Sequence, residues 1–303
     1  GRLGLHHELE KIYSFIDKKA YKNDVYGAAL AAVSRLGAKK NHYNDLIEII
    51  LAPNQNDRQT AIQDVIDAEA IELLPYVLNA PVSPFFRLRA VNELWKDGKE
   101  NINNLNLFET IDFLIKDDPN KIKILHNYDD DKSIDYLLNE FFNTDFSKSY
   151  LALKTISKKD PYDIWNSLSN YLPRIKKDYG AFYFLISLFN LIPNWDEKMI
   201  DEILKILYFS IGSNWPQFIK FRPLSISILI RLKRYECQEY ISKWLDMSQT
   251  PYWVCRYSAL MQLERILLEE GNTNIMIEVI NSQHDKHPFV AQKAKMISQK
   301  FKY

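Results

Sequence analysis

The chain has 303 residues, of which 47% are hydrophobic and 26% charged, and its basic and acidic residues balance at 39 each. This composition is typical of a folded protein and excludes a disordered one. The even charge gives no overall field that would attract nucleic acid or an anionic membrane, so we expect partners of neither class.

Localisation follows from what the sequence does not contain. No apolar run approaches the roughly 20 residues that span a bilayer. The first residues become charged and amphipathic too soon for a signal peptide. The two cysteines, Cys237 and Cys255, have neither a disulfide pattern nor zinc-site spacing. We therefore expect a protein of the reducing cytoplasm.

Glycine is scarce, with eight in the whole chain, and no glycine-rich phosphate loop is present. Nucleotide-binding α/β folds and β-rich folds need more glycine, at phosphate turns and hairpins. Apolar residues recur at positions i, i+3, i+4 and i+7 almost throughout, whereas strict alternation is rare. The sequence therefore predicts an all-α fold.

A short pattern returns along the chain. It consists of an anchor residue, a small residue three positions later and an apolar residue four positions after that. Successive anchors lie about 30 to 38 residues apart, except for one gap of about twice that length around residue 118. In chain order the copies are Tyr26, Ala29, Val33; Arg58, Ala61, Val65; Arg87, Ala90, Leu94; Ser149, Ala152, Ile156; Phe184, Ser187, Leu191; Arg222, Ser225, Leu229; Arg256, Ala259, Leu263; and Ala291 with Ala294.

A period of this length is typical of stacked helical hairpins, because one hairpin cannot bury its apolar face alone. We predict an α-solenoid of about eight hairpin repeats, curved and with a concave binding face. It forms a single domain over residues 1–303, with a degenerate repeat or an insertion around 100–145. The three aspartates at 129–131 indicate a solvated turn or a helix cap, and we predict no metal site.

The repeated pattern resembles the HEAT-like repeat of phycobilin lyases. PYWVCRYSALMQL at 251–263 is similar to a segment of the E/F-type lyases that reads W-V-x-R-Y-x-A-x-x-x-L. LLPYVLNAPVSPFFRLRAVNELW at 73–95 resembles a segment of the phycoerythrobilin-attaching branch of that family. The repeats cover most of the chain, whereas these two segments cover about a tenth of it.

The resemblance implies an activity. Such lyases attach an open-chain tetrapyrrole, a bilin, to a cysteine of a phycobiliprotein subunit through a thioether bond. It implies phycoerythrobilin as a substrate, no permanently bound cofactor, and the alpha or beta subunit of phycoerythrin as the partner. A second lyase or a chaperone subunit is a further possible partner.

The resemblance also implies roles for particular residues. Arginines suit the two propionates of a bilin, a carboxylate or a tyrosine suits its pyrrole nitrogens, and aromatic rings suit its flat conjugated face. The predicted catalytic residues are Tyr257 and Glu93, and the predicted bilin-binding residues are Arg87, Arg89, Trp95, Trp253 and Arg256.

The sequence departs from the family pattern after Tyr257. Some family members have an aspartate there, whereas this chain has Ser258. The missing carboxylate comes from elsewhere, with Glu93 and Glu264 as candidates, or the protein is a weaker catalyst or a chaperone. Cys255 could carry a bilin transiently, although a cysteine among apolar neighbours is more often a small buried residue.

Each of these residues also has a purely structural interpretation. Arg58 and Arg222 suit ion pairs with an acidic residue of a neighbouring repeat. Trp253, Arg256 and Tyr257 suit a network between repeats as well as they suit a ligand. Trp215 suits the core or a binding surface equally.

Two other functions compete with a lyase. One is a non-catalytic scaffold or chaperone that binds phycobiliprotein subunits. The other is a HEAT-like DNA glycosylase, which would need a basic groove. The neutral charge balance argues against the glycosylase, since the lysine pairs at 39–40, 158–159 and 176–177 are dispersed and such pairs are usually solvated.

Overall fold

The computed structural model describes residues 4–18, 22–37, 42–96, 99–102, 104–233, 237–271 and 273–302. In these ranges nearly all regular structure is helical, and the strands are limited to two of two residues each. The predicted all-α fold is confirmed. The lysine pair at 39–40 lies outside the described residues.

The chain divides into two compact units. Unit 1 comprises residues 1–105 and 118–156. Its helices and strand are α1 (Leu9–Lys18), α2 (Asn23–Arg35), α3 (Tyr43–Ile50), α4 (Gln55–Asp67), α5 (Leu74–Asn79), α6 (Pro84–Leu94), β1 (Asn101–Ile102), α8 (Ile134–Glu140) and α9 (Phe146–Ile156), with 3-10 turns at His6–Glu8, Ile71–Leu73 and Pro119–Lys121.

Unit 2 comprises residues 106–117 and 157–303, and β2 (Leu105–Asn106) lies at its first boundary. Its helices are α7 (Leu107–Lys116), α10 (Pro161–Ile175), α11 (Tyr179–Leu191), α12 (Glu197–Gly212), α13 (Arg222–Leu232), α14 (Gln238–Leu245), α15 (Trp253–Glu270), α16 (Met276–Ser282) and α17 (Pro288–Lys300), with 3-10 turns at Pro216–Lys220 and Thr273–Ile275.

Alternate helices pack together within each unit. In unit 1, α2 contacts α4 and α4 contacts α6. In unit 2, α11 contacts α13, α13 contacts α15 and α15 contacts α17. Alternate helices stacked in this way are typical of a solenoid, so the predicted solenoid class is confirmed. The count of about eight repeats, the concave face and the single domain over 1–303 stay predictions.

Local sequence explains where several helices begin. Pro84 and Pro288 occupy the first positions of α6 and α17, where the missing N–H of proline has no intrahelical partner to lose. Side-chain caps precede others, as when the Asn54 side chain accepts the amides of Asn56 and Asp57 at the start of α4.

The small residue of the repeated pattern is buried in almost every copy. Ala61, Ala90, Ala259 and Ser225 are fully buried, whereas Ala29 is half-buried. A small side chain at this position lets the next helix of the stack approach closely. Between α12 and α13, for example, the fully buried hydroxyls of Ser210 and Ser225 are 2.8 Å apart and share a hydrogen bond.

The stretch around 100–145 is divided between the units. Helix α7 packs on α13 and α15 in unit 2, and α8 packs on α9 in unit 1. The aspartates at 129–131 lie between them in exposed irregular chain, where Asp130 pairs with Lys132. The described ranges contain no group of three or more His, Cys, Asp or Glu side chains placed to hold a metal.

None of the helices in the described ranges combines the length and the hydropathy needed to cross a bilayer.

Candidate functional site

Four predicted site residues lie in α6 of unit 1 or directly after it, on different sides of the helix. Arg87 is fully buried and donates to the Leu78 carbonyl at 3.2 Å and to the Tyr150 hydroxyl at 2.7 Å. Arg89 is exposed, as expected two positions along a helix. Arg87 therefore serves the interior of unit 1, and Arg89 faces solvent.

The other two residues of this set differ in the same way. Trp95 is 1% exposed, and its indole N–H donates to the Lys99 carbonyl at 2.6 Å. Glu93 is half-buried. The structure thus gives Trp95 a place in the core and leaves part of the Glu93 side chain accessible.

The remaining three predicted residues lie among the first five residues of α15, in unit 2. Arg256 is 4% exposed and forms a two-point ion pair with Asp285, with Nε 2.6 Å and Nη2 2.8 Å from the carboxylate oxygens. Its Nη1 donates to the carbonyls of Thr250 and Pro251 at 2.7 and 2.9 Å. The guanidinium therefore joins α15 to the turn before it and to the turn between α16 and α17.

Trp253 packs on the same turn. Its ring stacks on His287 with centroids 4.2 Å apart and an angle of 9°, and it meets Phe289 edge-on at 5.5 Å. Burial lowers the pKa of His287 to about 4, against the opposing effect of Asp285 and with a further lowering by Arg256. The imidazole is therefore neutral near pH 7.

Tyr257 lies at the centre of a polar network on the α7 side of α15. Its side chain is fully buried, and its hydroxyl is 3.3 Å from the Phe108 carbonyl. The hydroxyl also interacts with the Asp112 carboxylate. Burial first, and then Asp112 and Glu264, raise the pKa of Tyr257 well above its usual value.

Lys293 of α17 joins two carboxylates of this network. Its ammonium is 2.7 Å from Glu264 and 3.4 Å from Asp112, and its side chain is 2% exposed. It also lies 5.6 Å from the ring centre of Tyr257. We name Tyr257, Asp112, Glu264 and Lys293 the Tyr257 network.

The two carboxylates respond differently to this environment. Burial raises the pKa of Asp112 and outweighs the opposing effects of Lys293 and Tyr257. Burial also disfavours the charge on Glu264, but Lys293 and Lys300 outweigh it and lower the pKa of that group. Neighbouring carboxylates whose pKa values move in opposite directions are suited to holding and delivering a proton.

The comparisons with known proteins agree with one another. The chain is 34% identical over 274 residues to the bilin biosynthesis protein CpeY of Synechococcus sp. (strain WH8020), a match that covers 90% of this chain and 65% of that protein. It is 26% identical over 244 residues to the uncharacterized phycocyanin operon protein Y of Pseudanabaena tenuis (strain PCC 7409), over 80% of this chain and 56% of that one. No family model matches the chain.

These similarities confirm the resemblance to the E/F-type phycobilin lyase family. The chain spans less than two thirds of the length of either curated relative, at 65% and 56%.

This resemblance gives the start of α15 a clearer meaning. Ser258 stands where some E/F-type members have an aspartate, and it is fully buried with its hydroxyl 2.6 Å from the Pro223 carbonyl of α13. A serine here holds two helices of the stack together. The carboxylate beside Tyr257 comes from Asp112 of α7 and, through Lys293, from Glu264.

Sequence reasoning missed Asp112 and Lys293, although a signal was present. Asp112 shares a helical face with Phe108 and Ile115, and Lys293 shares one with Val290 and other apolar residues of α17. A charged residue within an apolar stripe is expensive to bury without a partner. Such residues are therefore candidates for each other's partners, even when they lie far apart in the sequence.

Cys255 is a small buried residue, the structural role that its apolar neighbours in the sequence favour. Its side chain is 1% exposed, and burial raises the pKa of its thiol to about 12 against the opposing effects of Arg222 and Arg256. A buried, protonated thiol is a poor nucleophile.

Proposed function

We propose that this protein attaches a bilin, phycoerythrobilin in particular, to a cysteine of a phycoerythrin subunit through a thioether bond. The observation that carries the proposal is the similarity, over 90% of the chain, to a protein named for bilin biosynthesis. The bilin is a substrate, and no permanently bound cofactor is part of the proposal. A second lyase or a chaperone subunit would be a further partner.

The proposed reaction is an addition, and no atom leaves. The sulfur of the acceptor cysteine forms a bond to the carbon of the ring A side-chain double bond, and the proton lost by the thiol is balanced by one taken up by the bilin. The thiol belongs to the acceptor, which agrees with the burial of Cys237 and Cys255 in this chain. The lyase has to orient the two reactants and control protons. Orientation alone can supply roughly 7–11 kcal/mol of rate acceleration.

Within this proposal the Tyr257 network controls the proton. The Asp112 side chain is 23% exposed although its Oδ1 is buried, whereas Tyr257 is fully buried, so we propose that Asp112 is the group that meets the ligand. A raised pKa favours the protonated form of Asp112, the form that can donate to a pyrrole nitrogen. Tyr257 then acts as a positioning residue for Asp112, and Lys293 holds Oδ2 of the carboxylate at 3.4 Å.

The predicted residues outside this network fall into two groups, those that are accessible to a ligand and those that are used within the protein. Arg89 stays a predicted propionate contact, because its guanidinium is exposed, and Glu93 stays a predicted acid in unit 1. Arg87, Trp95 and Arg256 are used within the protein, so we propose that they support the fold. Trp253 is half-buried and stays a predicted aromatic contact.

The experiment is co-expression of the protein with a phycoerythrin subunit and a bilin-synthesis pathway, followed by acid denaturation and measurement of covalent colour on the subunit. Asp112→Asn should lower the attachment rate about 100-fold, because general acid–base catalysis typically contributes that much or more. Tyr257→Phe should lower it less.

The matched control is Asp163→Asn, which removes an exposed carboxylate from α10 of the same unit and should leave the rate unchanged. Circular dichroism checks that every variant is folded. Normal attachment by a folded Asp112→Asn variant would remove the network from the mechanism. Absence of covalent colour with the unaltered protein would contradict the lyase proposal itself.

The alternative function is a chaperone or scaffold that binds phycobiliprotein subunits without attaching bilin. It is favoured by the complete burial of Tyr257 and by the internal use of Arg87 and Arg256. Subunit binding in a pull-down, together with no covalent colour for any bilin, would support this function over the lyase.

A further inference from the structure

A cavity of about 340 Å³ lies in unit 2, at the turn between α10 and α11 and the C-terminal end of α12. Its volume lies within the range of roughly 300–1,000 Å³ that is usual for small-molecule sites. The residues that line it are Lys176, Lys177, Tyr179, Phe209, Ser213, Trp215 and Phe218. We name it the lysine–aromatic cavity.

Aromatic rings form one side of this cavity, and they are unusually exposed. Trp215 is 62% exposed and Phe209 is 50% exposed. Tyr179 lies 6.4 Å from Trp215 and 6.1 Å from Phe218, measured between ring centres. Two large rings left in contact with water beside a cavity indicate a surface that is covered when a ligand binds.

The charged side of the cavity consists of two adjacent lysines. Lys176 and Lys177 follow the last turn of α10, both are exposed, and neither forms an ion pair with another described residue. Two ammonium groups beside aromatic rings are complementary to a flat molecule that carries two carboxylates.

A second cavity in unit 2 has the opposite character. It measures about 240 Å³, and its lining includes the carboxylates of Asp246, Glu278 and Asp285 and no basic side chain. An anion would be repelled there. The contrast assigns an anionic ligand to the lysine–aromatic cavity and not to this one.

We propose that the lysine–aromatic cavity binds the free bilin before transfer, with the conjugated face on Trp215 and Phe209 and the propionates at Lys176 and Lys177. This proposal rests on the proposed function for the identity of the ligand. It adds a binding site that neither the two diagnostic segments nor the Tyr257 network contains. It also gives the lysine pair at 176–177 a role that the sequence did not indicate.

The experiment compares two probes on the full chain. Biliverdin has two propionates with free carboxylates, and its dimethyl ester has both of them esterified and so has no negative charge there. Lys176→Gln with Lys177→Gln should weaken biliverdin binding about fivefold and leave the ester unaffected, because two exposed ion pairs are lost. Trp215→Leu should weaken both probes about tenfold, because it removes the stacking surface. Binding is followed by the visible absorption of the probe.

Two controls match these variants. Lys158→Gln with Lys159→Gln makes the same change in charge at another lysine pair, and Tyr162→Leu removes a ring that is 64% exposed on α10. Both should bind the probes like the unaltered protein. Equal binding by the cavity variants, or weakening of the ester by the lysine change, would overturn the proposal.

The outcome is separable from that of the lyase proposal. Attachment by the unaltered protein, with cavity variants that bind biliverdin normally, would overturn the cavity and leave the lyase function standing. Biliverdin binding that depends on Trp215 and the two lysines, without attachment to any subunit, would support the cavity and contradict the lyase function.

Discussion

The N-terminal turns of α4 in unit 1 and α15 in unit 2 contain the same arrangement around an arginine. In both, Nη1 donates to the carbonyls of the residues six and five positions earlier, at 2.8 and 3.0 Å for Arg58 and at 2.7 and 2.9 Å for Arg256. In both, an aspartate accepts from the rest of the guanidinium. The two bonds to carbonyls are local in sequence, and they close the turn that precedes the helix.

The aspartates differ. Asp285 is in the turn before α17, 29 residues after Arg256, and its side chain is 2% exposed. Asp145 is 87 residues after Arg58, is 17% exposed, and also pairs with His126 at 2.8 Å. The same local pattern is therefore completed by the following hairpin in one unit and by a distant segment in the other.

The largest expected effect is at Asp285. Asp285→Asn leaves the Arg256 charge buried without a carboxylate, and breaking such a pair typically costs about 3–5 kcal/mol. Urea denaturation should show this loss in the free energy of unfolding. Replacing Arg256 by Met and Asp285 by Leu together should recover most of the loss, since no buried charge then remains. A loss for Asp285→Asn that is no larger than that for Asp145→Asn would remove the distinction between the two sites.

Asp145→Asn should cost less, about 1–2 kcal/mol, because the Asp145 side chain is 17% exposed and that of Asp285 only 2%, so water reaches Asp145 more easily. The effect should depend on pH. Burial disfavours the charge of Asp145, but His126, the Ser147 amide and Arg58 outweigh it and hold its pKa below the usual value of 3.8. A group with a lowered pKa stabilises the fold above its unfolded pKa and loses that effect as the pH falls through its folded pKa. The difference in free energy of unfolding between the variant and the unaltered protein should thus be fully present at pH 7 and disappear in strong acid. A difference that persists in strong acid would contradict this cause.

The smallest of the three effects is at His287, which stacks on Trp253 beside Asp285. Its pKa is lowered from 6.5 to about 4, so the folded protein favours the neutral ring. The unfolded chain binds the extra proton first, and stability falls as the pH drops from 6.5 towards 4, by about 1 kcal/mol once solvent screening is considered. His287→Phe keeps a ring on Trp253 and should make the melting temperature depend less on pH over this range. An unchanged slope would assign the pH dependence to other groups.

The equivalent positions of the two arginines could be predicted from the sequence, whereas the distant aspartate partner of Arg58 could not. Helical periodicity predicted the all-α class, and spacing placed Arg58 and Arg256 at the starts of equivalent helices with small residues one turn later. A repeat pattern describes neighbours only. It therefore gave no reason to expect Asp145 as a partner from 87 residues away.

The candidate site shows the same limit. The diagnostic segment identified Tyr257 and Arg256, but a motif shows which residues recur and not which way they face. It therefore left Arg256 open between a ligand and a network between repeats. Asp112 was missed because α7 lies in the stretch that fits the repeat poorly. Trp215 was left between core and surface, because a single exposed tryptophan has no sequence signal that separates the two.

The placement of α7 has a consequence for how the molecule is made. Residues 106–117 are synthesised between two parts of unit 1, yet α7 packs on α13 and α15, which follow more than 100 residues later. During synthesis its apolar side, including Leu107 and Ile111, has to wait for those later helices. A fragment that stops at residue 156 would contain α7 without the helices on which it packs. No single cut can therefore divide this chain into two complete folded units. A chaperone that binds this short segment during synthesis would protect its apolar side until those helices are made.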